Sequence, residues 1–281
     1  MKTPVTEPIA FLGPEGTFTE EALLASMPAD CHPFPYQSIP DVIAAVSSGA
    51  ARYGLVPIEN SLEGAVAITL DLLAFGHDDL LIARETTHAI HQQLIARAPL
   101  DLARVTKVIS HPHVYGQCHT FLRQHLPRAE HEAANSTADA VRQVSRIERP
   151  WVAIGPKLAA DMYECVVVAE NIEDSVDNRT RFVLLAREPA AQDLDAHYKT
   201  SIVCAIAHDQ PGSLLMILSE FADRGINLTK IESRPSKQGL GDYIFFIDLE
   251  GRRDDPAISQ ALKSLDSRLS WMKVLGSYPI T

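Results

Sequence analysis

Short apolar runs alternate with amphipathic stretches from Ile9 to about Arg187. Ile9–Leu12, Tyr53–Ile58, Lys107–Ile109, Trp151–Ile154 and Arg181–Ala186 read as strands, being short, apolar and bounded by turn-forming residues. Helical spacing falls between them at Thr19–Met27, Asp41–Ser48, Val114–His125, Thr137–Arg146 and Pro156–Met162. Several of these stretches begin just after Ser, Asp, Gly or Pro, so their N-termini are candidate anion sites. The alternation predicts an α/β domain. Polar Glu188–His197, with Pro189, interrupts it and reads as a linker. The pattern then restarts with strand Ser201–Ala207, a turn through Asp209–Gly212, helix Ser213–Arg224, strands Ile226–Ser233 and Asp242–Leu249, helix Pro256–Ser267 and strand Trp271–Leu275. That βαββαβ order predicts a ferredoxin-like α+β domain.

Composition narrows the picture. The 281 residues, 46% of them hydrophobic, suffice for two ordinary cores. No window approaches the roughly 18 apolar residues of a membrane span, and Met1-Lys2-Thr3-Pro4 leads into no hydrophobic signal region, so a cytoplasmic location is expected. Cys31, Cys118, Cys165 and Cys204 are scattered without a CxxC pair, which signals neither zinc nor a disulfide framework. A net charge of -11 without a Lys/Arg cluster argues against a nucleic-acid surface.

Five motifs carry candidate chemistry. Gly13-Pro14-Glu15-Gly16-Thr17-Phe18-Thr19 joins a strand to a helix and can offer N–H groups to a carboxylate, although a tight turn with a Thr cap has the same pattern. Pro57-Ile58-Glu59-Asn60-Ser61-Leu62-Glu63-Gly64 sets a carboxylate, an amide and a hydroxyl just after a strand, where α/β ligands gather; helix capping is the alternative. Ser110-His111-Pro112-His113, followed by Gln117, suits capping and substrate hydrogen bonding better than a metal, because a helix after Pro112 turns His113 and His119 to different faces. Asp177-Asn178-Arg179-Thr180-Arg181-Phe182 brings cations into a strand, with Arg181 the candidate carboxylate fork and a surface role the alternative. Gly212-Ser213-Leu214-Leu215 and Glu232-Ser233-Arg234-Pro235 offer N–H groups and acceptors to a small zwitterion, or form a turn and an edge-strand stop.

In kind and order these runs resemble the prephenate dehydratase family over nearly the whole chain. Most specific are Val56-Pro57-Ile58-Glu59-Asn60-Ser61, Ser110-His111-Pro112 and Asn178-Arg179-Thr180-Arg181-Phe182. The pair Gly212–Leu215 and Glu232–Pro235 is similar to the phenylalanine-binding motifs of ACT domains. The resemblance implies a two-lobed α/β catalytic domain like type II periplasmic binding proteins over residues 1–188, and a ferredoxin-like ACT domain over 198–281. With the first strand near Ile9, no room is expected before it for a helical chorismate mutase domain. His113-Val114-Tyr115 departs from the Gln-Ala-Leu of many relatives, and Ser213 replaces a common Ala.

The implied reaction converts prephenate to phenylpyruvate, CO2 and water. The family points to the Thr180 hydroxyl as donor to the leaving hydroxide, with Arg181, Asn60, Ser61 and Glu59 beside it. Gly16, Thr17, Ser110, His111, Gln117, Asn178 and Phe182 are implied to bind substrate. Gly212, Ser213, Leu214, Leu215, Asn227, Glu232, Ser233 and Arg234 are implied to bind phenylalanine as an allosteric effector. No cofactor or metal is expected, since the substrate's diene accepts the electrons itself. A homodimer or homotetramer is expected through the ACT and catalytic domains, with neither a nucleic-acid nor a membrane partner. The competing readings are an arogenate dehydratase, a prephenate decarboxylase and a non-catalytic amino-acid sensor.

Overall fold

The computed structural model describes residues 8–27, 31–189, 196–206, 211–237, 239 and 242–280. Residues 190–195 of the expected linker, Ala207, and Asp209 and Gln210 of the expected turn lie outside the described residues. By its contacts the chain divides into two compact units, Met1–Thr69 with Thr87–Phe182, and Leu70–Thr86 with Val183–Thr281.

The chain begins β1 (Pro8–Leu12), α1 (Phe18–Ser26), β2 (His32–Tyr36), α2 (Ile39–Ser48), β3 (Tyr53–Asn60), β4 (Gly64–Ala65), α3 (Ala67–Phe75) and β5 (Leu81–Ala89). Parallel β1 and β3 are covered on both faces, with consecutive residues Ile9, Ala10 and Phe11, and Leu55 and Val56, all at most 2% exposed. Each of the larger of these side chains contributes about 1.5–3 kcal/mol by leaving water. Helix α2 starts where Ser38 accepts a hydrogen bond from the Asp41 N–H at 3.3 Å and stops at Gly49, φ 80°.

A second lobe follows, with β6 (Gln93–Ala96), β7 (Lys107–Ser110), α4 (Pro112–Gln117), α5 (His119–His125), β8 (Glu130–Ala133), α6 (Thr137–Ser145), β9 (Trp151–Gly155), α7 (Lys157–Met162) and β10 (Val166–Ala169). Its sheet runs β10-β6-β9-β7-β8. Both faces are covered. Leu94, Val108 and Ile154 belong to one core, Ile95, Ile109 and Ala153 to another, as the two-residue period of a strand requires. At Gly155 an added Cβ would meet Val141 Cγ2 at 2.9 Å and Thr137 O at 3.0 Å, so the missing side chain lets α6 lie close on β9. The chain returns through β11 (Arg179–Ala186) to a sheet of order β2-β1-β3-β11-β5, with β4 on β3.

The second unit contains β12 (Tyr198–Ala205), α8 (Ser213–Ala222), β13 (Leu228–Pro235), β14 (Tyr243–Glu250), α9 (Pro256–Asp266) and β15 (Trp271–Pro279). Its antiparallel sheet, β13-β14-β12-β15, has the 2-3-1-4 order of the expected βαββαβ fold. Ile202, Cys204, Ile247 and Leu249 pack with α8 and α9 residues Ile217, Phe221, Ile258 and Leu262. Residues 70–86 join this unit. Lys199 Nζ meets Glu85 at 2.5 Å, Ile280 bridges Glu85, and a Cβ on Gly276 would fall 2.3 Å from Ile82 O.

Candidate active-site cleft

Strand ends and helix starts of the first unit surround a cleft of about 290 Å³. One lobe supplies Phe18 and Thr19 from the first turn of α1, Pro57 and Asn60 from the end of β3, and Glu63 from the turn after it. The other supplies His111, His113, Val114 and Gln117 around α4, and Asn135, Ser136 and Thr137 at the start of α6. Ile90, Gln92, Asn178, Thr180 and Phe182, on the segments passing between the lobes, complete it. Such crevices beyond strand ends are where open α/β sheets bind ligands.

A chain of side-chain amides organises the floor. The Asn60 oxygen accepts from the Leu62 and Glu63 N–H groups at 2.9 and 3.0 Å, so its Nδ2 must face outward. That nitrogen donates to Asn178 Oδ1 at 2.8 Å and to Thr180 Oγ1 at 2.9 Å. Asn178 Nδ2 donates to Gln117 Oε1 at 3.3 Å, as does Gln92 Nε2 at 3.4 Å, and Gln117 Nε2 reaches Glu63 Oε1 at 3.1 Å. Thr180, 9% exposed, lines the cleft, and its oxygen is the acceptor in its bond with Asn60, which leaves its own O–H available to donate.

Two helix starts open on this space. In α6, Ser136 caps the Asp139 N–H at 3.0 Å, and in α1 the buried Glu20 takes the Gly16 N–H at 2.5 Å. Burial raises the Glu20 pKa against the lowering effect of that bond. Both helix dipoles favour an anion between the lobes. His111 stacks on His113, with centroids 5.2 Å apart, and His113 Nδ1 lies 3.6 Å from Glu63. Burial, then the neighbouring His113, holds the His111 pKa below its ordinary value, favouring neutral imidazole. Burial pushes the Cys118 thiol far up, which removes it as a nucleophile. Among the described residues no group of three or more His, Cys, Asp or Glu side chains could hold a metal ion, and no helix is long and apolar enough to cross a membrane.

In the second unit, Gly212, φ 93°, begins α8, with Ser213 buried and Leu215 exposed. Glu232, Ser233 and Arg234 lie in edge strand β13, and Asn227 just before it gives its carbonyl to the Glu250 N–H at 3.0 Å. Arg234 Nε binds Asp71 at 2.8 Å, joined by Lys237 at 2.8 Å. Burial alone would raise the Asp71 carboxyl, but these two cations outweigh it and hold its pKa below the ordinary value.

The prephenate dehydratase family profile matches residues 9–190 and the ACT domain profile residues 200–267. The bifunctional chorismate mutase/prephenate dehydratase of Aquifex aeolicus is 40% identical over 274 residues, covering 96% of this chain and 73% of that protein. The prephenate dehydratase of Mycobacterium marinum is 40% identical over 280 residues, covering 96% and 88%. A crystal structure of prephenate dehydratase from Arthrobacter aurescens, in complex with L-Phe, superposes with a TM-score of 0.89 at 37% identity, covering 97% of this chain and 90% of that one.

This chain belongs to the prephenate dehydratase family. The two-lobed α/β unit and the four-stranded ACT sheet are the fold the resemblance implied. Within this prephenate dehydratase cleft, expected residues Asn60, His111, Gln117, Asn178, Thr180 and Phe182 come together. Others do not line it. Along β11 the two-residue period sends Thr180 and Phe182 inward and Arg181 to the opposite face, where its Nε lies 3.7 Å from Glu59. Ser61 Oγ is spent on Asp177 O and the Arg179 N–H, both at 2.9 Å. Its own N–H goes to Arg179 O, also at 2.9 Å. Ser110 is fully buried and bonds Ile154 O at 2.8 Å, while the Thr17 hydroxyl bonds Leu12 O and the Gly16 N–H is taken by Glu20. In the sequence Thr19 and Glu63 stand inside motifs without a site role of their own and the Ser136 helix start is one of several candidate anion sites, whereas Gln92 stands in no motif.

Proposed function

We propose that this cleft converts prephenate to phenylpyruvate, CO2 and water, with Thr180 assisting departure of the ring hydroxyl. The observation that carries the reading is the Asn60–Thr180 hydrogen bond of 2.9 Å. Its direction leaves the Thr180 proton for the substrate, and a donor behind the oxygen makes that proton more acidic. As the ring-bound carboxylate leaves as CO2, its C–C electron pair moves into the ring and the C–O bond breaks. The departing hydroxide takes a proton through Thr180, which solvent restores. The two helix starts, with neutral His111 and Asn178, suit a dicarboxylate without a buried arginine clamp. Looser binding of the carboxylate that departs is an advantage, because a tight clamp would stabilise the ground state.

Residues 1–188 are assigned the chemistry and 198–281 its regulation by phenylalanine, held by Gly212–Leu215, Asn227 and Glu232–Arg234. Strand β13, at the edge of its sheet among the described residues and with Ile231 46% exposed, supports a dimer through the ACT domain. A cytoplasmic location completes the reading. Purified protein mixed with prephenate is expected to form phenylpyruvate, followed by its absorbance in alkali. Thr180→Ala is expected to lower kcat by about 10²–10⁴-fold and added phenylalanine to suppress wild-type turnover. Folded wild-type protein that yields no phenylpyruvate would overturn the assignment and make arogenate the next substrate to assay.

A further inference from the structure

Gln92 is 2% exposed and lines the cleft, and its Oε1 has no hydrogen-bond partner among the described residues. The direction of the amide is fixed by its neighbours from two sides. Glu63 bears only acceptors when ionised, so Gln117 must present Nε2 to it and Oε1 to the other side. Independently, the Asn60 oxygen is committed to two backbone N–H groups, so Asn60 donates to Asn178 and Asn178 donates to the same Gln117 Oε1. Gln92 can meet that oxygen only with Nε2. Its carbonyl oxygen is therefore left as a buried acceptor, a state costly enough that native proteins resolve it with a ligand or water.

We infer that Gln92 Oε1 accepts the hydrogen bond of the substrate's ring hydroxyl and so orients the leaving group, an assignment that rests on the prephenate reading above. The chemistry is selective. Prephenate as a dianion offers acceptors at both carboxylates and at its ketone, and a single donor, the ring O–H. A lone buried acceptor thus has one complementary atom on this substrate. With the O–H directed at Gln92, a lone pair of the same oxygen is turned toward the Thr180 donor. On C–O cleavage the oxygen keeps the hydrogen held by Gln92, gains one through Thr180, and leaves as water.

The test uses two competitive inhibitors of the full-length enzyme. One is the ring-saturated analogue of prephenate, which keeps the hydroxyl and both carboxylates but cannot aromatise; the other has hydrogen in place of that hydroxyl. Wild-type protein is expected to prefer the hydroxylated analogue by about tenfold, and Gln92→Met to cut that preference severalfold, the Thr180 contact keeping the remainder, while lowering kcat. The ratio within one protein does not depend on how much of it is folded, and a thermal melt checks the variant. A preference unchanged in Gln92→Met, or absent from the wild type, would overturn the inference while prephenate turnover still upheld the enzyme. No turnover of prephenate by wild type would instead sink the reading beneath it.

Discussion

Thr180 owes its proposed role to Asn60, and Asn60 owes its orientation to two backbone N–H groups. Asn60→Asp keeps that turn but replaces the donor by a carboxylate oxygen. Initial-rate kinetics are expected to show kcat falling about 10²-fold or more and KM rising as the new charge repels a dianion. His111 sets a pH limit of its own. Its folded pKa is depressed by burial, so the associated stability is complete above the unfolded value of 6.5 and is lost as pH falls through the lower folded value. An NMR titration is expected to place the His111 transition below 6.5, and His111→Gln to flatten that part of the stability profile. Much of this site was legible residue by residue. Asn60, His111, Gln117, Asn178, Thr180 and Phe182 stand in motifs at strand ends, and the cleft gathers them. Arg181 was read by its charge, yet strand alternation, set by which neighbour is buried, turned it to the other face.

Elements with a clean period were legible as well, usually to within one or two residues. The exceptions have local or distant causes. Strand β2, His32-Pro33-Phe34-Pro35-Tyr36, contains two prolines that argue against a strand, and it survives by pairing with β1 at the sheet edge. Helix α3 reads Ala-Ile-Thr-Leu-Asp-Leu-Leu-Ala-Phe, nearly apolar throughout, and gives no amphipathic stripe. The expected helix Val114–His125 is instead two, broken at Cys118, φ -118° and ψ 20°. Asp174 stabilises the break, its N–H bonding Gln117 O at 2.7 Å and its carboxylate taking the Thr120 N–H at 3.1 Å, a partner too far along the chain for local spacing to reveal. At α6, Ser136→Ala is expected to cost about 1 kcal/mol in a denaturant melt, and to raise KM if that helix start holds a carboxylate. For α3, the depressed Asp71 pKa means its contribution is full above the ordinary value of 3.8 and disappears as pH drops below it. Asp71→Asn is expected to abolish that acid-dependent loss in melts recorded from about pH 4 down to about pH 2, the span below the ordinary value through which a depressed carboxyl takes up its proton.

At the scale of the molecule, the regulatory unit is stitched from two distant stretches of chain. Arg234 and Lys237 hold Asp71, Lys273 Nζ takes the Leu73 and His77 carbonyls at 2.9 and 2.8 Å, Trp271 stacks on Phe75, and Gly276 leaves room for nothing larger against Ile82 O. Gly276→Val is expected to lower the melting temperature sharply, because a Cβ 2.3 Å from a carbonyl oxygen forces the two strands apart. A length of chain appended after the catalytic motifs has thus become part of the scaffolding around a helix that comes early in the sequence. Evolution by shuffling is constrained accordingly. A regulator exchanged between relatives as residues 198–281 alone would arrive without its matched counterpart in 70–86, so chimeras are expected to fold and respond to effector only when both stretches travel together.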